Sequence, residues 1–187
     1  MIIVPQEISQ KAFYSIPIFV VCYFVFKYLQ YEYAEILLLL ALTSYLHWRK
    51  VMKISIVKIL DIITSVSTIV LVTIYSSKKR FNSHSCFVWN TMVIIIIIAF
   101  IVNEVLFYNQ VMRDAVEYAI EDGYHYFTLG WTAPDTIFRQ HAYHRSVYTH
   151  MFFFHILPSV VAMYCALHSH YWDQCVGKID TILDTKP

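Results

Sequence analysis

The stretch FVWNTMVIIIIIAFIVNEVLFY, residues 87–108, decides the class of this chain. It contains five consecutive isoleucines, Ile94 to Ile98, and no charged side chain before Glu104. About 20 mainly apolar residues are needed for a helix to cross the hydrocarbon core of a bilayer. β-Branched runs disfavour helix in water. In hydrocarbon every backbone group must bond within its own segment, so helix is the economical conformation there.

Four further stretches fit the same description. They cover about 13–29, 33–48, 56–75 and 147–167. The first has Lys11 ahead of an apolar core, as a secretion signal does, but bulky Phe24, Phe26 and Tyr28 stand where small cleavage-site residues belong. It is read as a retained span. The expected fold is therefore all-α, an integral membrane bundle of five transmembrane helices in one polytopic domain, residues 1–187. The count rises to seven if 109–146 contributes.

Composition agrees. Of 187 residues 58% are apolar and only 14% charged, against a usual charged share of about 25% in soluble domains. So few charges do not cover the surface of a soluble globule, and disorder needs low hydrophobicity and high net charge. The net charge of +1 leaves no basic excess for nucleic acid, so the expected partners are membrane lipids. Cys22 and Cys165 lie in apolar runs and Cys86 and Cys175 nearer polar sequence. No pair has redox or zinc-finger spacing, which argues against a disulfide framework.

The segment 109–146 differs from its flanks. Arg113 and Glu117 are one helical turn apart, Gly123 is a natural helix stop, and Pro134 stands among mixed aromatic and polar residues. It reads as membrane-surface or re-entrant sequence. Basic residues stand at both ends of the third stretch, Arg49, Lys50, Lys53 and Lys58 around its start and Lys78, Lys79 and Arg80 after it. The positive-inside rule thus assigns no orientation. Small-x-x-x-small packing motifs are nearly absent.

Ionisable groups inside spans are costly and are functional candidates by default. Asp61 enters the third span, followed by Thr64, Ser65 and Thr68. Pairing with Lys58 or reaching to the interface would be its structural use; a carboxylate facing the bundle interior would be its chemical one. His47 ends the second span, where histidines usually anchor at the interface, but Thr43 lies one turn earlier on the same face. The last span holds His150 and His155. His141, His144, His168 and His170 flank it, and His84 and His125 show no pattern. Three imidazoles and a water are a common catalytic zinc set. The expected ligands are His47, His150 and His155, with Asp61 as base and Thr43 positioning the water.

These residues resemble the CREST membrane hydrolase superfamily, which includes alkaline ceramidases, progestin/adiponectin receptors and a myomaker branch. That pattern has an upstream acid, Ser-x-x-x-His in the second span, Asp in the third and His-x-x-x-His in the last. Glu32, fifteen residues before His47, looks like the acid of the myomaker branch; Thr43 takes the serine position, and Lys58-Ile-Leu-Asp61 resembles the third-span motif. Tyr148-Thr-His150 through His155-Ile-Leu157 is similar to that branch's closing motif. The resemblance implies seven spans, a zinc ion, hydrolysis of a lipid amide or ester, and a supporting role for Glu32 behind the ligands.

One departure is geometric. The last histidines are five apart rather than four, which on a regular helix separates them by about 140°. Pro158 offers a remedy: its ring clashes with the carbonyl of Phe154, and a π-bulge there would bring residues five apart onto one face. Alternatives to a hydrolase are a non-catalytic structural or remodelling membrane protein, and a channel or proton-linked transporter relaying through Asp61, Glu104 and the histidines.

Overall fold

The computed structural model describes residues 6–49, 55–76, 80–107 and 137–184, and every regular element among them is helical. Helix α1 (Gln6–Ser9) continues through a 3-10 segment (Gln10–Ser15) into α2 (Pro17–Tyr28). Pro17 opens α2 at the one turn where a missing N–H costs nothing. The chain then reverses. Gln30 takes φ 59°, and the Tyr31 amide returns 2.9 Å to the Phe26 carbonyl, closing α2 with a left-handed cap.

Helix α3 (Glu35–Arg49) follows, then α4 (Ile56–Leu71), capped by the Ser55 hydroxyl and ending in a π segment (Val72–Ser76). Helix α5 (Ser83–Phe107) contains the isoleucine run. Helix α6 (Ile137–His150), a second π segment (Met151–Ile156) and α7 (Leu157–Asp184) form one continuous rod.

Four helices are long and apolar enough to cross a membrane: Glu7–Tyr28, Ile56–Ser76, Ser83–Asn103 and His144–Trp172. The sequence predicted five. The second stretch is not among these four: 15 residues of its helix α3 are described, and they rise about 22 Å. Two of the others are longer than predicted, the first beginning before residue 13 and the last passing 167. Of the polar segment 109–146, residues 137–146 begin a helix; the pairing of Arg113 with Glu117, the stop at Gly123 and the turn at Pro134 lie outside the described residues.

Around the bundle the order is α4, α3, α2, α7, α5. The core gathers Cys22, Phe26, Leu37, Val72, Trp89 and Cys165. Small residues on α7 let α5 approach closely: Ala162, Cys165, Ala166 and Ser169 are all buried, and the Cys165 thiol reaches the Ser85 carbonyl at 3.4 Å. Ala162 and Ala166 are themselves small residues four apart, a packing face that the sequence reading undercounted.

Polarity runs inside out. The buried residues of α4 are Asp61, Thr64 and Thr68, whereas Ile59, Ile62, Ile63 and Val66 are exposed. On α5, Ile94, Ile97, Ile98 and Ile101 face outward, while Asn103 is buried along with Trp89, Met92 and Ile96. Water as solvent would select the opposite faces; hydrocarbon selects these.

Candidate functional site

The buried stripe of α3 runs Leu37, Leu40, Ala41, Ser44, His47 and Trp48, the spacing of one helical face. It is apolar at its start and polar at its end. The polar end meets Asp61 on the first turns of α4. The Ser44 hydroxyl donates to Asp61 Oδ1 at 2.6 Å and the Thr43 hydroxyl to the same oxygen at 3.3 Å. Oδ2 makes no hydrogen bond among the described residues. Thr43 also points at the Leu40 carbonyl, 3.2 Å away, so its hydroxyl divides between two acceptors. Ser44 is the firmer partner. Helical spacing singled out Thr43, one turn before His47, and Ser44, three residues before His47, shares that face by spacing as well.

His150 and His155 lie across the bundle from α3, at the two ends of the π segment. Pro158 cannot donate, and the Leu157 amide bonds back to the Phe152 carbonyl, five residues earlier. This wider turn absorbs the extra residue between the histidines. Their ring centroids come within 4.9 Å, which a regular helix would not allow at that spacing. Trp48 bridges the two sides, 5.2 Å from His47 and 5.0 Å from His150, ring to ring.

His155 is oriented from the first helix. Its Nδ1 lies 2.8 Å from the Ser15 hydroxyl, and that hydroxyl donates its own proton to the Ala12 carbonyl, also at 2.8 Å. Ser15 therefore accepts from Nδ1–H, and the lone pair of His155 is on Nε2, the nitrogen free to bind. Phe19 packs on the same ring at 4.8 Å. Ser15 is 140 residues from His155, and nothing in its local sequence marks it.

Below these groups lies a cavity of about 410 Å³. Asp61, His150 and His155 line it together with apolar side chains such as Phe26, Leu40 and Ile96. At its far end α4 and α5 are tied by the Trp89 indole, which donates to the Thr73 hydroxyl at 2.9 Å. Nearer Asp61, Ile62 and Val66 face Ile97 and Phe100 across the cavity, and each is more than half exposed. The cavity is thus walled by groups that suit hydrocarbon.

Among the described residues, no three His, Cys, Asp or Glu side chains converge closely enough to hold one ion as they stand. The donor chemistry nonetheless suits a metal. His47 Nδ1 is buried with no hydrogen-bond partner among the described residues, and the adjoining Trp48 Nε1 is too. An unmet buried nitrogen costs about 1–3 kcal/mol, and an imidazole lone pair on a cation removes that cost.

Glu32 is not brought to this cluster. It is exposed and stands beside Tyr75 at the opposite end of α3, roughly 20 Å from His47 along the helix. His168 also lies at that opposite end. Its Nδ1 sits 3.1 Å from Asn82 Nδ2 and 3.3 Å from the Ser85 hydroxyl. Comparison of the chain with protein-family models, curated proteins and solved structures finds no match.

Proposed function

We propose that the chain is a multi-pass membrane protein that hydrolyses an amide or ester bond in a membrane lipid with the help of a zinc ion. In this reading α3 is a fifth, shorter crossing element held inside the bundle by α2 and α4. The observation that carries it is the π segment. It pairs His150 with His155 at the head of an apolar cavity and puts the pair in the same space as Asp61.

His47, His150 and His155 would hold the ion, with Ser15 keeping the Nε2 lone pair of His155 directed toward it. Zinc bound there would supply a water acidic enough to lose a proton near neutral pH. Asp61 would accept a proton from water on Oδ2, since Oδ1 is already committed to Ser44 and Thr43. These two hydroxyls keep the carboxylate from rotating and lower the cost of its charge at membrane depth. The apolar walls seat the substrate's hydrocarbon tail beside the reacting groups and exclude bulk water.

Metal analysis of the detergent-purified protein, wild type beside His47→Ala and His155→Ala, tests the reading. About one zinc per chain, lost in both variants, is expected. Wild-type protein free of metal after careful handling would sink it. Turnover of a panel of ceramides and phospholipids then follows, with Asp61→Asn as the inactive control.

A second reading, a non-catalytic membrane protein kept in shape by these polar groups, is favoured by the absence of a three-donor convergence among the described residues. It expects no stoichiometric zinc and no turnover, so the same measurements separate the two.

A further inference from the structure

A second groove, about 370 Å³ in volume, runs along the outer seam between α5 and α6. The buried hydrogen bond from Asn103 Nδ2 to the Ser146 hydroxyl, 3.2 Å, sets the register of the two helices. At that level the groove is polar, lined by Asn103, Arg145 and Thr149. Toward the membrane interior it is apolar, lined by Ile98 and Phe153 among others, and its far end lies about 12 Å along the helices. Ile98 is 55% exposed, so the groove opens outward, away from the cavity of His150 and His155.

Arg145 is the anomaly here. One terminal guanidinium nitrogen, Nη2, is buried, with no hydrogen-bond partner among the described residues. A guanidinium beside isoleucine and phenylalanine is costly unless an anion meets it, and its planar fork matches the oxygens of a phosphate. The groove therefore presents a cationic head above an apolar slot, with the polarity order of a phospholipid standing upright in its leaflet. Asn103 is already engaged with Ser146, which leaves Arg145 to provide the charge.

We propose that this groove binds one anionic phospholipid, with the phosphate on the Arg145 guanidinium and an acyl chain lying along Ile98 and Phe153. The site is independent of any chemistry at the histidines. A net negative headgroup is favoured over a zwitterionic one because the buried Arg145 Nη2 has no partner among the described residues and little water competes there.

The test is native mass spectrometry of the full chain released from mixed micelles of equimolar phosphatidylglycerol and phosphatidylcholine. Wild-type protein is expected to retain phosphatidylglycerol with about tenfold preference, a preference that Arg145→Gln abolishes. Ile98→Trp, which fills the slot and leaves the charge in place, is expected to cut retention of both lipids. It carries the test should the arginine variant fail to fold. Equal retention of the two lipids by wild type, or unchanged retention in Ile98→Trp or in a folded Arg145→Gln, would overturn the proposal. So would displacement of the lipid by millimolar inorganic phosphate, which would mark a site for a free anion.

Discussion

Two π segments occur among the described residues, and they do different work. Val72–Ser76 ends a helix. Its surroundings are satisfied: the Tyr33 hydroxyl pairs with the Ser76 hydroxyl, the Ser76 carbonyl accepts the amides of Arg80 and Phe81 at 2.9 and 2.7 Å, and Thr73 takes the Trp89 indole. Tyr31, Tyr33 and Tyr75 pack around it edge to face. Met151–Ile156 instead interrupts a rod that continues for seven further turns or so. It faces a cavity, presents two imidazoles into it, and stands near the orphaned nitrogens of His47 and Trp48. The same widening of the backbone serves packing where every group is met, and chemistry where groups are left open.

The contrast is broken most sharply at Asp61. Asp61→Asn keeps both hydroxyl contacts and removes the base, so lipid turnover is expected to fall by about 10²–10⁴-fold with zinc content unchanged. Turnover equal to wild type would remove Asp61 from the chemistry and align the two π segments as packing devices alike.

Deletion of Phe153 removes the one extra residue that the second π segment accommodates. The flanks keep their phase, the histidines come to a spacing of four, and regular hydrogen bonding returns ahead of Pro158, which still cannot donate to the Phe154 carbonyl. Stability should rise by about 1–3 kcal/mol in a denaturation series, with the metal retained. If stability falls instead, the wide turn is itself part of the packing, as it is at Val72–Ser76.

Ser15→Ala takes away the acceptor that orients His155. Zinc affinity, read by competition with a chromophoric chelator, is expected to weaken by about tenfold, the low end of what such supporting bonds contribute. An unchanged affinity would leave the tautomer of His155 set by something other than Ser15.

The smallest effect is expected at the other segment. Ser76→Ala loses the hydroxyl contact with Tyr33 and should cost about 1 kcal/mol of stability while metal content and turnover stay as they were. A loss of zinc in that variant would mean that the two ends of the bundle are coupled.

Much of the fold was legible because hydropathy is a local, additive property. The isoleucine run, the stretch around Asp61 and the last stretch each announce a long apolar helix without reference to anything else in the chain. The exception, 33–48, shows the limit. Its apolar content resembles that of its neighbours, yet the reversal at Gln30 delays the start of α3 to Glu35. Where a folded helix starts depends on where its cap forms, and no clear signal stands in the sequence ahead of Glu35.

The amino-acid sequence by itself determined an all-helical, lipid-compatible chain, the pairing of Thr43 with His47 on one face, and the condition that His150 and His155 meet only if the helix widens. Tertiary structure alone decided that the widening occurs, that Ser44 rather than Thr43 is the closer partner of Asp61, that Ser15 orients His155, and that Glu32 stands at the far end beside Tyr75. Composition and period are written along one segment. Convergence of side chains from α1 through α7 depends on the rotation and depth of each helix against the others, and no single segment encodes these.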